Sequence, residues 1–222
     1  MKYYLSALAY PFRGTGWVRT AFAFVLVWIA ILTDVIGGSM IVSSYLFVYM
    51  MKMVQSSGNG EEEMCQFPLF EGWVEGFILP FMRMIVVLSL SFGMMVLSLC
   101  LGGSHYVTWG LFAFGMIYFP MAFLKLAMTE DTSSSYPLSW WYSVKNMPWA
   151  YAGLVLFTGM IVGVVFVLYS FIISNFDPSY FLTNPIMLGI PFIIAPFIYL
   201  VCCMYMNVLG LFHLKHEDKF GW

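Results

Sequence analysis

The residues with the richest coordination chemistry stand near the end of this 222-residue chain, where His213 and His216 lie three apart and are followed by Glu217 and Asp218. On a helix this spacing puts two imidazoles on one face, an arrangement that holds a transition metal when a third strong ligand joins them. No such ligand lies nearby in the sequence, and the dipole at a helix C-terminus favours His and Lys without any metal. His213 and His216 are therefore weak metal candidates, and the sequence assigns no metal and no cofactor. Asp34 is the one acidic residue inside the first apolar run, and an ionisable group at membrane depth is costly enough to suggest a function, such as carrying a proton or ion. Its other readings are a helix cap, if the chain turns over 34–39, and a salt bridge to a partner.

Four basic residues, Arg13, Arg19, Arg83 and Lys145, lie where apolar runs begin or end. Long basic side chains snorkel from such positions to the headgroups, and together these four are candidates for contact with anionic lipid. Gly159 and Gly163 form a pair of small residues about one helical turn apart, which lets another helix approach closely. The four cysteines, Cys65, Cys100, Cys202 and Cys203, lack metal-ligand spacing, and three of them sit in apolar runs. That speaks against a zinc ribbon or a disulfide scaffold. The sequence has no phosphate-binding glycine loop, no paired His and Glu motif and no nucleophile elbow, so no catalytic residue is assigned.

The elements that position these residues are set by composition. The chain is 62% apolar, 20% aromatic and 9% charged, with a mean hydropathy of +0.87. Soluble domains carry about 25% charged residues. Nine basic and eleven acidic residues cannot clothe a water-facing surface of this size, which excludes a soluble enzyme. A net charge of −2 with scattered Lys and Arg also excludes nucleic acid as a partner. The expected fold is all-α, a polytopic helical integral membrane protein.

The first apolar run, 20–51, would be about 48 Å long as one helix, against a hydrocarbon core of roughly 30 Å. It is therefore expected to turn near Asp34 and return, either as a spanning hairpin or as a re-entrant pair. Later runs over 84–101, 106–128, 149–174 and 185–212 are each long enough to cross once. With the chain starting inside, every Lys and Arg falls on one side, while the connections 102–105 and 175–184 carry none. This asymmetry predicts about six membrane segments in three hairpins, with both termini cytoplasmic. The resulting single domain over 1–222 divides into a cytoplasmic interfacial segment (1–19), the hairpin or re-entrant pair (20–51), and a cytoplasmic loop with an interfacial helix (52–83). A helix pair (84–128), a second interfacial segment (129–148), another helix pair (149–212) and a cytoplasmic tail (213–222) follow. The stretch 20–33 behind basic residues has the outline of a cleavable signal, but apolar character resumes at Met40, so an uncleaved anchor is expected. No lipidation signal is present.

An aromatic-proline-apolar triplet precedes each expected pair: Tyr10-Pro11-Phe12, Phe67-Pro68-Leu69 and Tyr136-Pro137-Leu138, with a tryptophan soon after at Trp17, Trp73 and Trp140. Each triplet is expected to open a short interfacial amphipathic helix, with 13–19 and 71–83 as further in-plane stretches. Tyr10-Pro11-Phe12-Arg13 with Gly16-Trp17, the Gly-bearing first run, Pro68 to Trp73 with Gly76, and Phe119-Pro120-Met121-Ala122 resemble a family of uncharacterised bacterial multipass membrane proteins. The resemblance covers about the first two thirds of the chain. It implies a bacterial inner membrane and no known reaction, and the acidic insert Glu61-Glu62-Glu63 departs from it. The expected function is a non-catalytic accessory, scaffold or assembly subunit of a larger membrane complex, with membrane lipids and other integral membrane subunits as partners. The alternatives are a small transporter or channel for a hydrophobic or lipidic substrate, then a membrane enzyme with a dispersed site.

Overall fold

A computed structural model describes residues 9–32, 38–67, 72, 74, 78–130, 137–174 and 185–220. Among these, a short 3-10 turn, Tyr10–Phe12, precedes α1 (Gly16–Leu32), α2 (Gly38–Gly58), α3 (Leu79–Cys100), α4 (His105–Thr129), α5 (Pro137–Asn146), α6 (Pro148–Ser174) and α7 (Pro185–Phe220). Proline opens α5, α6 and α7 and stands in the first turn of α3. There its fixed φ suits the helix and its missing N–H costs nothing. Ser104 starts α4 by accepting a hydrogen bond from the Val107 N–H at 3.4 Å. Glu130 ends α4 in the left-handed region at φ 55°, its N–H bonded to the Leu126 carbonyl.

Four helices are long and apolar enough to cross a bilayer: α3, α4, α6 over Pro148–Leu168 and α7 over Ile194–Phe220. The chain is a helical integral membrane protein. α1 is a shorter apolar helix, and α2 is the most polar of the six long ones, with Lys52 and Gln55 near its end. Neighbouring helices in the chain touch as α1 with α2, α3 with α4, and α6 with α7, as the expected hairpins require, but α7 packs mainly on α2 and α1, and α6 meets α4 as closely as it meets α7. The residues between α1 and α2, including Asp34, lie outside the described residues.

Several boundaries differ from the sequence reading. No separate in-plane helix covers 13–19, because Gly14 turns the chain at φ 51° and α1 begins two residues later, taking in Arg19. Arg83 belongs to α3, which starts at Leu79 ahead of the apolar run at Met84, and most of 68–77 lies outside the described residues. α2 continues past Met51 to Gly58 because α7 buries its polar last turns. α5 falls where the third triplet predicts a short helix, with Trp141 and Tyr142 exposed. α7 bends at His216 (φ −125°, ψ 20°), which returns Phe220 onto Phe212 and His213, at ring separations of 6.1 and 5.1 Å.

α2 and α7 make the most extensive helix contact. Gly210 of α7 permits it: a Cβ there would stand 2.5 Å from the Ser57 Cβ, 2.6 Å from the Val54 carbonyl oxygen and 2.8 Å from the Gly58 nitrogen. The second half of α4 completes this core, since Met121 through Ala127 are all buried, whereas Tyr106 near its start is 91% exposed. Helix direction brings the N-termini of α1, α3 and α6 together with the C-termini of α2, α4 and α7. Every described Lys and Arg therefore falls at one end of the bundle, called the basic end below.

Because two of the three atoms opposing a Gly210 side chain are backbone, they cannot step aside. Gly210→Val is expected to lower the melting temperature in detergent by the equivalent of about 1–3 kcal/mol of overpacking. Gly93→Ala, where nothing lies within 4 Å, should leave it unchanged or raise it. Equal melting of the two variants would show that the α2–α7 contact is looser than described.

Candidate functional site

The polar chemistry concentrates at the basic end, in three connected places. In the first, the loop after α2 folds back over the start of α1 and leaves an open cleft of about 530 Å³ lined by Arg19, Glu61, Glu62, Glu63, Met64, Cys65 and Gln66. Gly60, at φ 84°, makes the turn, and the Glu61 N–H bonds the Ser56 carbonyl at 3.0 Å. The Ser56 hydroxyl donates to Glu61 Oε2 at 2.5 Å. The Tyr49 hydroxyl donates to the Cys65 carbonyl at 3.1 Å, and its ring stacks on Phe67 at 4.2 Å. From the α1 side, the Thr20 hydroxyl donates to the Pro11 carbonyl at 2.8 Å and lies 3.6 Å from the Met64 sulfur. Gly14 turns the chain beside this loop at φ 51°, with the Glu63 carboxylate lying next to it. Burial pushes the Cys65 thiol up to about 12, against the pull of the Arg19 charge, and pushes the Tyr10 hydroxyl behind it up to about 12 as well.

The second place joins α2, α3 and α4. Gln55 Nε2 donates to the Ala127 carbonyl at 2.6 Å and to Glu130 Oε1 at 2.9 Å, while Glu130 Oε2 lies 4.0 Å from Arg83 Nη1. This completes the C-terminus of α4, whose last carbonyls have no partner in their own helix. The third place ties α5 to α7. The Ser143 hydroxyl donates to the Phe220 carbonyl at 2.7 Å, and the Asn146 amide to the Lys219 carbonyl at 3.3 Å.

The sequence-derived residues distribute over these places unevenly. Arg19 lines the cleft, Arg83 pairs with Glu130, Arg13 is half-buried before α1, and Lys145 is exposed on α5. They do not form one cluster. His213 is buried and stacked on Phe220, and His216 donates to the Phe212 carbonyl at 3.0 Å. Among the described residues no group of three His, Cys, Asp or Glu side chains is placed to hold a metal ion. Gly159 and Gly163 face outward from α6 with nothing within 4 Å.

Deeper in the bundle, several buried polar groups are tied to nearby backbone or to each other, which lowers the cost of a low-dielectric interior. Ser91 donates to the Val87 carbonyl, and Thr158 bonds both the Leu154 carbonyl and the Tyr205 hydroxyl. Pro120 inside α4 leaves the Met116 carbonyl without its helical donor, and at the next residue the Tyr151 hydroxyl of α6 donates to the Ile117 carbonyl. Sequence reasoning missed the cleft because Glu61 to Glu63 and Arg19 are 42 or more positions apart in a chain without repeats to align them. The one signal was the acidic insert itself, dense charge in a chain that has little.

The thiolate is the nucleophile, so a thiol held near pH 12 is almost entirely unreactive at neutral pH and gains reactivity only as pH rises toward that value. Iodoacetamide at pH 8 is therefore expected to leave Cys65 unmodified in the folded protein and to modify it after denaturation, as read by peptide mass spectrometry. Modification in the folded state at the rate of an unfolded control would contradict the burial of this loop.

Compared with known proteins, the chain matches no family model, no curated protein and no solved structure.

Proposed function

We propose that this chain is a non-catalytic accessory or scaffold subunit of a larger membrane protein assembly, and that the outward face of α6 docks against a helix of another subunit. The observation that carries this reading is a contrast among glycines. Where this chain packs helix against helix closely, glycine stands in the contact, as Gly210 of α7 does against α2 and Gly115 of α4 does against α3. Gly159 and Gly163 offer the same low surface with open space around them.

Ala152, Leu156, Gly159, Gly163 and Phe166 recur at alternating steps of four and three, so they share one stripe of α6. Leu156 and Phe166 in that stripe are 71% and 61% exposed. Lipid gains nothing from a glycine pair, because helix association in a bilayer depends on close packing and not on hydrophobic exclusion. In this reading the basic end faces the cytoplasm of a bacterial inner membrane, with both termini on that side, by the positive-inside asymmetry of the loops.

Purification of the tagged chain from its native membrane in mild detergent, with native mass determination, should give a stoichiometric assembly larger than the 25.4 kDa chain. Gly159→Ile with Gly163→Ile should release the chain from that assembly while leaving its own melting temperature unchanged. A lone monomer or homo-oligomer from the native membrane would overturn the reading.

A further inference from the structure

The cleft at the basic end holds opposite charges that do not meet. Arg19 and the carboxylates of Glu61, Glu62 and Glu63 line the same space of about 530 Å³. Among the described residues, however, Arg19, Glu62 and Glu63 form no ion pair within 4.0 Å, whereas Arg83 reaches Glu130. Arginine and carboxylate at such proximity gain most by closing into a hydrogen-bonded pair. Here the loop is held on the start of α1 by the contact of Thr20 with Met64, and the Glu63 carboxylate lies beside Gly14 instead of on Arg19. A ligand matched to the gap presents an anion to Arg19 and a hydrogen-bonding cation to the glutamates. A purely anionic group meets repulsion from the acidic wall, which separates this site from a simple anionic-lipid patch.

A second feature leads from the cleft into the apolar layer. Val18, Phe22, Val25 and Ile29 form one stripe along α1 and are 49%, 51%, 43% and 40% exposed. Phe22 meets Phe67 edge-on at 5.0 Å, which joins the stripe to the residue after Gln66 in the cleft wall. Trp17, 62% exposed, stands at the same end as Arg19, the level that tryptophan occupies among headgroups. The polar gap thus opens directly onto an apolar track descending along a membrane helix.

We infer that this cleft seats the headgroup of a phospholipid carrying both a phosphate and a primary ammonium. The phosphate lies against Arg19, the ammonium against Glu62 and Glu63, and the acyl chains lie along the α1 stripe. This assignment is independent of the docking face on α6.

The test uses the full chain, purified in detergent, stripped of lipid and offered equal amounts of dioleoyl phosphatidylethanolamine, phosphatidylglycerol and phosphatidylcholine, with retained lipid read by native mass spectrometry. Phosphatidylethanolamine is expected to be retained preferentially. Arg19→Gln should reduce that retention about tenfold, the loss of one charge-assisted contact. Glu62→Gln with Glu63→Gln, both exposed and outside the core, should shift the preference toward phosphatidylglycerol. Equal retention of the ethanolamine and glycerol lipids by the wild type, or an unchanged preference in the double variant, would overturn the proposal. Soluble phosphoethanolamine separates the two sources of this chemistry: it should compete only at about a hundredfold excess, because it lacks the chains. Competition at equal concentration would identify a free solute as the occupant and overturn the lipid assignment.

Discussion

The bundle depends on the close approach of α7 to the last two turns of α2 at Gly210. In a bilayer the lipid is as apolar as the side chains, so helices gain nothing merely by leaving it, and contact must come from surfaces that fit. At Gly210 the backbones come near enough that any side chain would strike the Val54 carbonyl and the Gly58 nitrogen. The polar last turns of α2, with Ser56, Ser57 and Gly58 buried, are sheltered by α7 together with Met128 at the end of α4. That shelter fixes where the 61–67 loop begins, and so fixes the cleft.

From this contact the molecule becomes looser toward the opposite end. The buried side chains of α4 occupy its second half, and the exposed ones, including Tyr106 and Trp109, its first. α3 and α6 carry rows of exposed Leu, Val, Met and Phe that lipid solvates without cost. A soluble protein could not leave such surfaces open. A membrane protein can, and its rigid core need only lie where backbone and charge must be satisfied, which here is the basic end.

Much of this was legible in the sequence for a physical reason. Apolar run length must match bilayer thickness, and proline marks helix starts, so α3, α4, α6 and α7 follow from composition with only their ends displaced. The ends shift because tertiary partners extend them. α2 reaches Gly58 under the cover of α7, and α3 begins at Leu79 where Pro80 fits its first turn. The use of each glycine was not legible. Gly115 and Gly210 look no different in sequence from Gly159, yet two are filled by neighbouring helices and one faces open space. Spacing shows that close approach is allowed and not which helix makes it. Asp34, singled out by its cost in an apolar run, lies outside the described residues.

The basic residues show how local surroundings divide a common chemistry. Arg83 and Arg19 both stand near helix starts at the basic end, and by sequence both are headgroup anchors. Arg83 faces Glu130, which the left-handed turn at the end of α4 and the Gln55 amide hold in place, so its charge completes a contact between helices. Arg19 lines an open cleft with three exposed glutamates and forms no ion pair with them. Exposed ion pairs add little stability, so keeping Arg19 apart from the glutamates forfeits little in the fold. What remains is a cation and three carboxylates lining one open cleft beside an apolar helix face. Charges of both signs lining one cleft select by the order of charges along a ligand, a discrimination that a single surface arginine does not make.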